Sequence, residues 1–473
     1  MYHQFFTAKQ LFGYEQVSKR IANIRLTGKG QIMAIKEQAN LRKEWYKLDL
    51  SAIVYPTLQR RDFSSVYRLS VLLKEEIDPG LLQKAVDMAL PRFPTYKAAI
   101  RKGVFWRYLE PNNRPGPFVQ SDVKNPCQPM HFKANNRYLI RFYYYGNRIS
   151  MEAHHSLGDG TGGMCVLQTV TATYLRLKGY QIETGPSVKY SDFVLDIDSQ
   201  PDPEELEDAY MKYANAKVRP PRPGEKTYRV RGTKEPFYTL NIIDGIMPVN
   251  EVMEVAKKYH ATITEYLNAV LLYALMKKQE KDRRISIKPV KIAMPVNLRR
   301  FFPSKTLRNF ITMIYPGIDP RLGEYTFEEI VTQVHNYMRY YINEKFLRGD
   351  ITTNAETQRN PFIRIVPLFI KDFVVKLFYT RVQDHNSSAG LTNMGVMRVP
   401  ESMKPYIERF DIYMGQPFSS RTNCAIISFE DTLTVNFASS IIEADVERYF
   451  FRKLVQDGIH VKIESNRDMR MEV

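Results

Sequence analysis

Ten residues, Ala153-His154-His155-Ser156-Leu157-Gly158-Asp159-Gly160-Thr161-Gly162, put two imidazoles, a carboxylate and a close run of glycines into one short stretch. An imidazole that titrates near neutrality can take a proton from a hydroxyl or an amine. Bare backbone N–H groups at a glycine turn or a helix start can steady the negative charge that then develops on a carbonyl oxygen. Together these are the means of acyl transfer from an activated ester to an alcohol or amine. His155 and Asp159 are the two plausible metal ligands here, and no neighbour in sequence completes a metal site.

The flanking residues say how this stretch is held. Tyr138 to Tyr145 and Arg148 to Ala153 read as two strands joined at Gly146-Asn147, a hairpin signal, so the histidines end a strand. Met164, Leu167, Val170, Thr171, Tyr174, Leu175 and Leu177 then recur at helical spacing as far as Lys178-Gly179. The spacing predicts a strand, a tight glycine turn and a helix. Neighbours on a strand point to opposite faces, so His154 and His155 cannot enter the same cavity, and one serves chemistry while the other serves structure. Gly160, Gly162 and Gly163 would let a substrate approach the backbone closely. Cys165 falls inside the helix on a stripe with Val166 and Thr169, a packing position rather than that of a nucleophile.

The pattern His-His-x-x-x-Asp-Gly at His154, His155, Asp159 and Gly160 resembles the signature of the chloramphenicol acetyltransferase-like acyltransferases. That superfamily includes peptide-synthetase condensation domains, BAHD plant acyltransferases and alcohol acetyltransferases. Met294-Pro295-Val296-Asn297-Leu298-Arg299 is similar to the Pro-Val-x-x-Arg stretch of condensation domains. Leu391-Thr392-Asn393-Met394-Gly395 is similar to the Ser/Thr-Asn-x-Gly strand near the end of alcohol acetyltransferase-like chains. Trp45-Tyr46-Lys47-Leu48-Asp49, followed by Tyr55-Pro56, looks like the start of such a domain. The resemblance implies His155 and Asp159 as the catalytic pair, with His155 the general base and Asp159 turned away from substrate toward Arg299. His154, Gly160 and Arg299 would then be structural support, and Gly162, Gly163 and Asn393 would line the substrate path. It also implies an α/β fold of two sandwich domains around a central cleft, no bound cofactor, and acyl-CoA or a carrier-bound acyl thioester as cosubstrate. His154 and Asp159 also fit the His-x4-Asp pattern of glycerolipid acyltransferases, but the Glu-Gly-Thr-Arg type motif of those enzymes is not found.

A chain of 473 residues exceeds the size at which a single core keeps growing, and its 44% hydrophobic and 25% charged content is that of a globular protein. The boundaries read as a basic extension over 1–44, a domain carrying the motif over 45–217, a proline-rich crossover over 218–236 and a second domain over 237–473. The extension reads as a solvated arm, with peripheral membrane contact as its alternative role. Cys127, Cys165 and Cys424 are too few to form a disulfide framework and, with no signal-peptide core, point to the cytoplasm. The net charge of +17 would draw anions such as coenzyme A phosphates, an acidic carrier protein or lipid headgroups. No nucleic-acid-binding motif accompanies it. Phe362 to Val382 is apolar but interrupted by Arg364, Pro367, Lys371, Asp372, Lys376 and Arg381, so it is expected to pack in the core as a helix rather than to cross a membrane or lie on one. Elsewhere the sequence predicts a strand over 104–109, an exposed acidic stretch over 196–208, capping boxes at Thr262 and Thr326, and a last helix capped by Ser440. A non-catalytic binding module with the same fold is the alternative to an enzyme.

Overall fold

Local signals set the first elements of the computed structural model, which describes residues 45–59, 63–123, 125–185, 194–217, 226–237, 239–282, 286–381, 386–415 and 420–467. After a single helical turn, α1 (Tyr55–Leu58), comes β1 (Val66–Leu73), all eight residues of which are buried. Helix α2 (Pro79–Ala89) starts where the Asp78 carboxylate accepts from Leu81 N, with proline at the first helical position. The short strands β2 (Ala98–Lys102), β3 (Arg107–Pro111) and β4 (Val119–Ser121) follow. Gly146, at φ +53°, then turns β5 (Ile140–Tyr145) into β6 (Arg148–His154), and α3 (Gly160–Leu177) leaves the glycine turn.

In the second half, β7 (Asn241–Pro248) leads into α4 (Val249–Lys258) and then α5 (Ile263–Lys281). Thr262 and Glu265 form the capping box that starts α5. Next come β8 (Val290–Asn297), β9 (Ile311–Ile314) and α6 (Phe327–Tyr341), the last opened by the Thr326–Glu329 box. Helices α7 (Glu344–Arg359), α8 (Pro361–Ile365) and α9 (Leu368–Arg381) precede β10 (Ala389–Val396). The chain ends with β11 (Ile407–Met414), the hairpin β12 (Thr422–Phe429) and β13 (Thr432–Ser439), α10 (Asp445–Gln456) and β14 (Lys462–Ser465).

Two large sheets result, in the order β11-β1-β6-β5-β4 and β9-β8-β10-β12-β13-β7-β14, beside a small sheet that contains the β2–β3 hairpin. Leu69 lies opposite Met151 in the antiparallel β1–β6 pair, and β6 returns antiparallel on β5 with Met151 opposite Phe142. In the second sheet, β10 runs parallel to both β8 and β12. Helix α5 is buried nearly all round between that sheet, α6 and α10, so Tyr266, Leu267, Val270, Leu271 and Leu275 are all core. Each such side chain stabilises by roughly 1.5–3 kcal/mol relative to exposure. From Lys47 onward the chain is one compact unit. Strand β11, from the second half, pairs with β1 of the first, Ile412 opposite Leu69.

Several expectations are corrected. The strand expected over 104–109 is instead the turn and second arm of the β2–β3 hairpin, closed by Gly103 N donating to Trp106 O, with Val104 at its exposed tip. The last helix begins at Asp445, with Ala444 rather than Ser440 at its cap. The acidic stretch is not all exposed: Glu205 is fully buried against Arg92, which donates to it at 2.7 and 3.0 Å. Helices α8 and α9 are not core elements, for Phe362, Ile365, Phe369 and Phe373 point to solvent. The basic extension and Val218 to Gly224 of the crossover lie outside the described residues.

The Arg92–Glu205 pair ties α2's end to the acidic segment with both side chains fully buried. Arg92→Met should therefore cost about 3–5 kcal/mol by leaving a carboxylate buried without its cation. Urea denaturation of Arg92→Met and of the double variant Arg92→Met, Glu205→Met checks this, the double recovering much of the loss.

Candidate active site

The alternation of β6 settles where the first of the two histidines goes. His154 lies opposite Val66 in the β1–β6 pair and is completely buried on the face it shares with Ser150 and Glu152. Its Nδ1 accepts from Ser156 N at 3.2 Å, and its ring meets Phe132 edge-on. Burial, then the neighbouring His155 and Arg141, hold its pKa down at about 3. This is a histidine that stays neutral and braces the turn.

His155 steps off the strand, its N–H donating to Ser65 O at 2.8 Å. The ring stacks on Tyr55, centroids 4.8 Å apart, and tilts against Tyr67 at 4.6 Å. Burial lowers its pKa to about 4, offset only in part by the Asp159 carboxylate, the Asn309 amide and the Gly158 backbone. At neutral pH the imidazole is uncharged, the state in which it can accept a proton.

Asp159 fixes the turn that carries His155. Its Oδ1 accepts from Thr161 N and Gly162 N, both at 3.1 Å, and so caps α3. Its Oδ2 accepts from Arg299 Nη1 at 2.8 Å and from Phe310 N at 2.9 Å. Arg299, at the end of β8, spends its other donors on the carbonyls of Thr306 (2.9 Å) and Arg308 (2.6 Å). Both side chains are buried. Asp159 takes the Thr161 and Gly162 N–H groups, and Asp159 O takes that of Gly163, so those three amides of the helix start are already used and do not form an oxyanion site.

The glycines answer to packing. A Cβ on Gly162 would collide with the Leu307 carbonyl, one on Gly163 would lie 2.5 Å from the Tyr67 hydroxyl, and one on Gly160 would lie 2.9 Å from Met394 Sδ. The room expected for substrate beside Gly162 and Gly163 is thus filled by the protein itself. Asn393 lies in β10 and donates to Thr264 Oγ1 at 2.8 Å while its Oδ1 accepts from Gly395 N at 2.7 Å, which ties the strand to the start of α5. Asn297 Nδ2 donates to Thr161 Oγ1 at 3.2 Å, a second link across the site. Cys165 is fully buried in α3, and burial drives its thiol pKa well up, away from thiolate formation.

Asp49 and Asn309 are central to the site, and the sequence did not single them out together. Asn309 Nδ2 donates to His155 O at 2.9 Å and to Asp49 Oδ2 at 3.0 Å, while Asp49 Oδ1 accepts from Ala52 N at 2.8 Å. Arg308 stands 3.7 Å from the Asp49 carboxylate, and burial raises that carboxyl's pKa. A lone asparagine in a turn resembles an ordinary cap, and Asp49 offers no local signal beyond its place in the resemblance. Among the described residues no group of three His, Cys, Asp or Glu side chains stands close enough to hold a metal.

The alcohol acetyltransferase family model matches residues 237–313, a span that includes Arg299 and Asn309 but begins well after the histidines. No curated protein matches the chain. The starter condensation domain of rhizomide synthetase, solved with C8-CoA, superposes with a TM-score of 0.55 over 90% of this chain and 99% of that one, at 11% identity. The wax ester synthase/diacylglycerol acyltransferase of Marinobacter aquaeolei VT8 gives 0.51 over 87% and 98%, at 12% identity. Trichothecene 15-O-acetyltransferase of Fusarium sporotrichioides gives 0.51 over 87% and 94%, at 13% identity. The fold is therefore the two-lobed, mixed α/β fold of condensation-type acyltransferases. The resemblance to alcohol acetyltransferases is thus supported over residues 237–313.

Because the Asp159–Arg299 pair is buried and fully hydrogen-bonded, Asp159→Asn or Arg299→Met should each destabilise by about 3–5 kcal/mol. The two losses should combine to less than their sum. A double-mutant cycle by urea denaturation measures both, and strict additivity would reject the coupling.

Proposed function

We propose that the protein transfers an acyl group, acetyl or another short to medium chain, from an acyl thioester such as acyl-CoA to the hydroxyl or amine of a small acceptor. The observation that carries this reading is His155, an uncharged imidazole on a turn locked by Asp159 and Arg299 where the two sheets meet. The acceptor gives its proton to His155 as its oxygen or nitrogen attacks the thioester carbonyl. The tetrahedral intermediate then expels the thiolate, and His155 returns the proton to it, so no external acid is consumed. Asp159 acts by holding the turn, with Arg299, His154 and Gly160 in support, and Asn393 belongs to the opposite wall. A carrier-bound thioester is the other form of donor. We place the reaction in the cytoplasm, where three buried thiols remain reduced. The excess of cations favours a phosphate-bearing donor.

The direct test is thiol release from acyl-CoA in the presence of an acceptor. His155→Ala should lower turnover by about 10²–10⁴-fold with donor binding retained. A folded His155→Ala variant of unchanged turnover would reject the assignment. The pH profile gives a second test. His155 stays neutral well below the ordinary imidazole value of 6.5, so the acid limb of kcat/KM should fall near pH 4 instead. Over the same interval the unfolded chain binds protons that the folded one does not, so stability also declines as pH drops from about 6.5 toward 4. Circular dichroism at each pH separates the two effects.

A histidine base needs both substrates present together, whereas a cysteine nucleophile would first form an acyl-enzyme. Initial-rate patterns should be intersecting rather than parallel, and Cys165→Ala should still turn over. Acyl mass trapped on Cys165 would overturn this order.

A further inference from the structure

Helices α8 and α9 sit at the surface beside the β2–β3 turn, and their outward side chains are apolar. Phe362 is 77% exposed, Ile365 68%, Phe369 73% and Phe373 68%, joined by Val104 at 70% and Trp106 at 48%. Leu368 N donates to Val104 O and Lys371 Nζ to Phe105 O, both at 2.8 Å, so turn and helix form one continuous surface. The four aromatic rings alone expose on the order of 500 Å². That rivals the largest apolar patch of a typical whole monomer before any aliphatic side chain is added.

The geometry points to this face as a docking surface for a lipid bilayer carrying anionic headgroups. Phe369, Ile370, Phe373 and Val374 fall on one side of α9, and all four are exposed. The other side is anchored: Asp372 accepts from Arg107 at 2.8 and 2.6 Å and from Thr57 Oγ1 at 2.9 Å. Between Phe362 and Phe378 the cations are Arg364, Lys371 and Lys376, while the sole carboxylate, Asp372, is already matched by Arg107. Lys371 reaches along the edge of the patch to the carbonyls of Phe105 and Arg364. Exposed rings bordered by cations suit the interface plane of a membrane, where rings enter the acyl boundary and cations meet phosphate. No helix among the described residues is long and apolar enough to cross a membrane, so the contact is with its surface. A second copy of the chain is the poorer occupant, because a twofold contact would bring these cations against themselves on a protein of net charge +17.

Co-sedimentation of the full chain with phosphatidylcholine vesicles, with and without phosphatidylserine, tests the assignment. Binding should be stronger with phosphatidylserine, weaken with salt, and fall by about tenfold or more in the double variant Phe369→Glu, Phe373→Glu, whose melting temperature should be unchanged. If that variant does not fold, the milder Phe369→Ser, Phe373→Ser takes its place. Equal binding of neutral vesicles, or wild-type binding by a folded variant, overturns the proposal. So does vesicle binding that is lost only on removal of residues 1–44. A concentration-dependent dimer that the same substitutions dissolve would also overturn it, by showing that a second copy covers the face.

Discussion

One ion pair holds the functional region together. Asp159 is at once the cap of α3, the acceptor for Phe310 N, and the partner of Arg299. Arg299 in turn gathers the carbonyls of Thr306 and Arg308. Burying a carboxylate and a guanidinium is costly, and is tolerated only where nearly every lone pair and N–H finds a partner, as here. The same few atoms thus set the start of a helix, the end of a strand and the path of the loop between β8 and β9. None of the three can shift without uncovering a charge.

The two histidines show how one dipeptide is divided by its surroundings. His154 is held among strand residues and keeps only a local bond to Ser156 N. His155 is flanked by the rings of Tyr55 and Tyr67, and its backbone carbonyl is fixed by Asn309, itself fixed by Asp49. Burial against these aromatic walls keeps the imidazole uncharged. The amide and carboxylate beneath it hold the backbone, so orientation comes from polar contacts and protonation state from apolar ones.

What was legible in the sequence was local. The β5–β6 hairpin follows from Gly146-Asn147, and the starts of α5 and α6 follow from capping boxes whose members are three residues apart. Asp159 and Arg299 are 140 residues apart, and only the resemblance suggested them as partners. Asn309 and Asp49 are 260 apart, with no motif linking them. Gly162 reads as a site for substrate until the Leu307 carbonyl, from the other half of the chain, is seen to occupy the space. The apolar run of α8 and α9 reads as core because composition reports how much apolar surface a helix has, and not whether anything lies over it. Glu205 reads as solvent-exposed for the converse reason, since a charge is buried only when a distant partner such as Arg92 arrives.

Strand β11 carries a consequence for how the chain is made. It joins the first sheet next to β1, yet its residues, Ile407–Met414, come more than three hundred positions after β1 in the order of synthesis. Until they emerge, β1 is an open edge, with unpaired N–H and C=O groups along a strand whose every residue is destined for burial. The first half cannot therefore complete itself on the ribosome as an independent domain would. Its closure waits on a contact of very long sequence separation, the kind that slows folding and leaves an edge available to other nascent chains. Once formed, the same strand makes separation of the halves require unzipping a sheet rather than parting two surfaces.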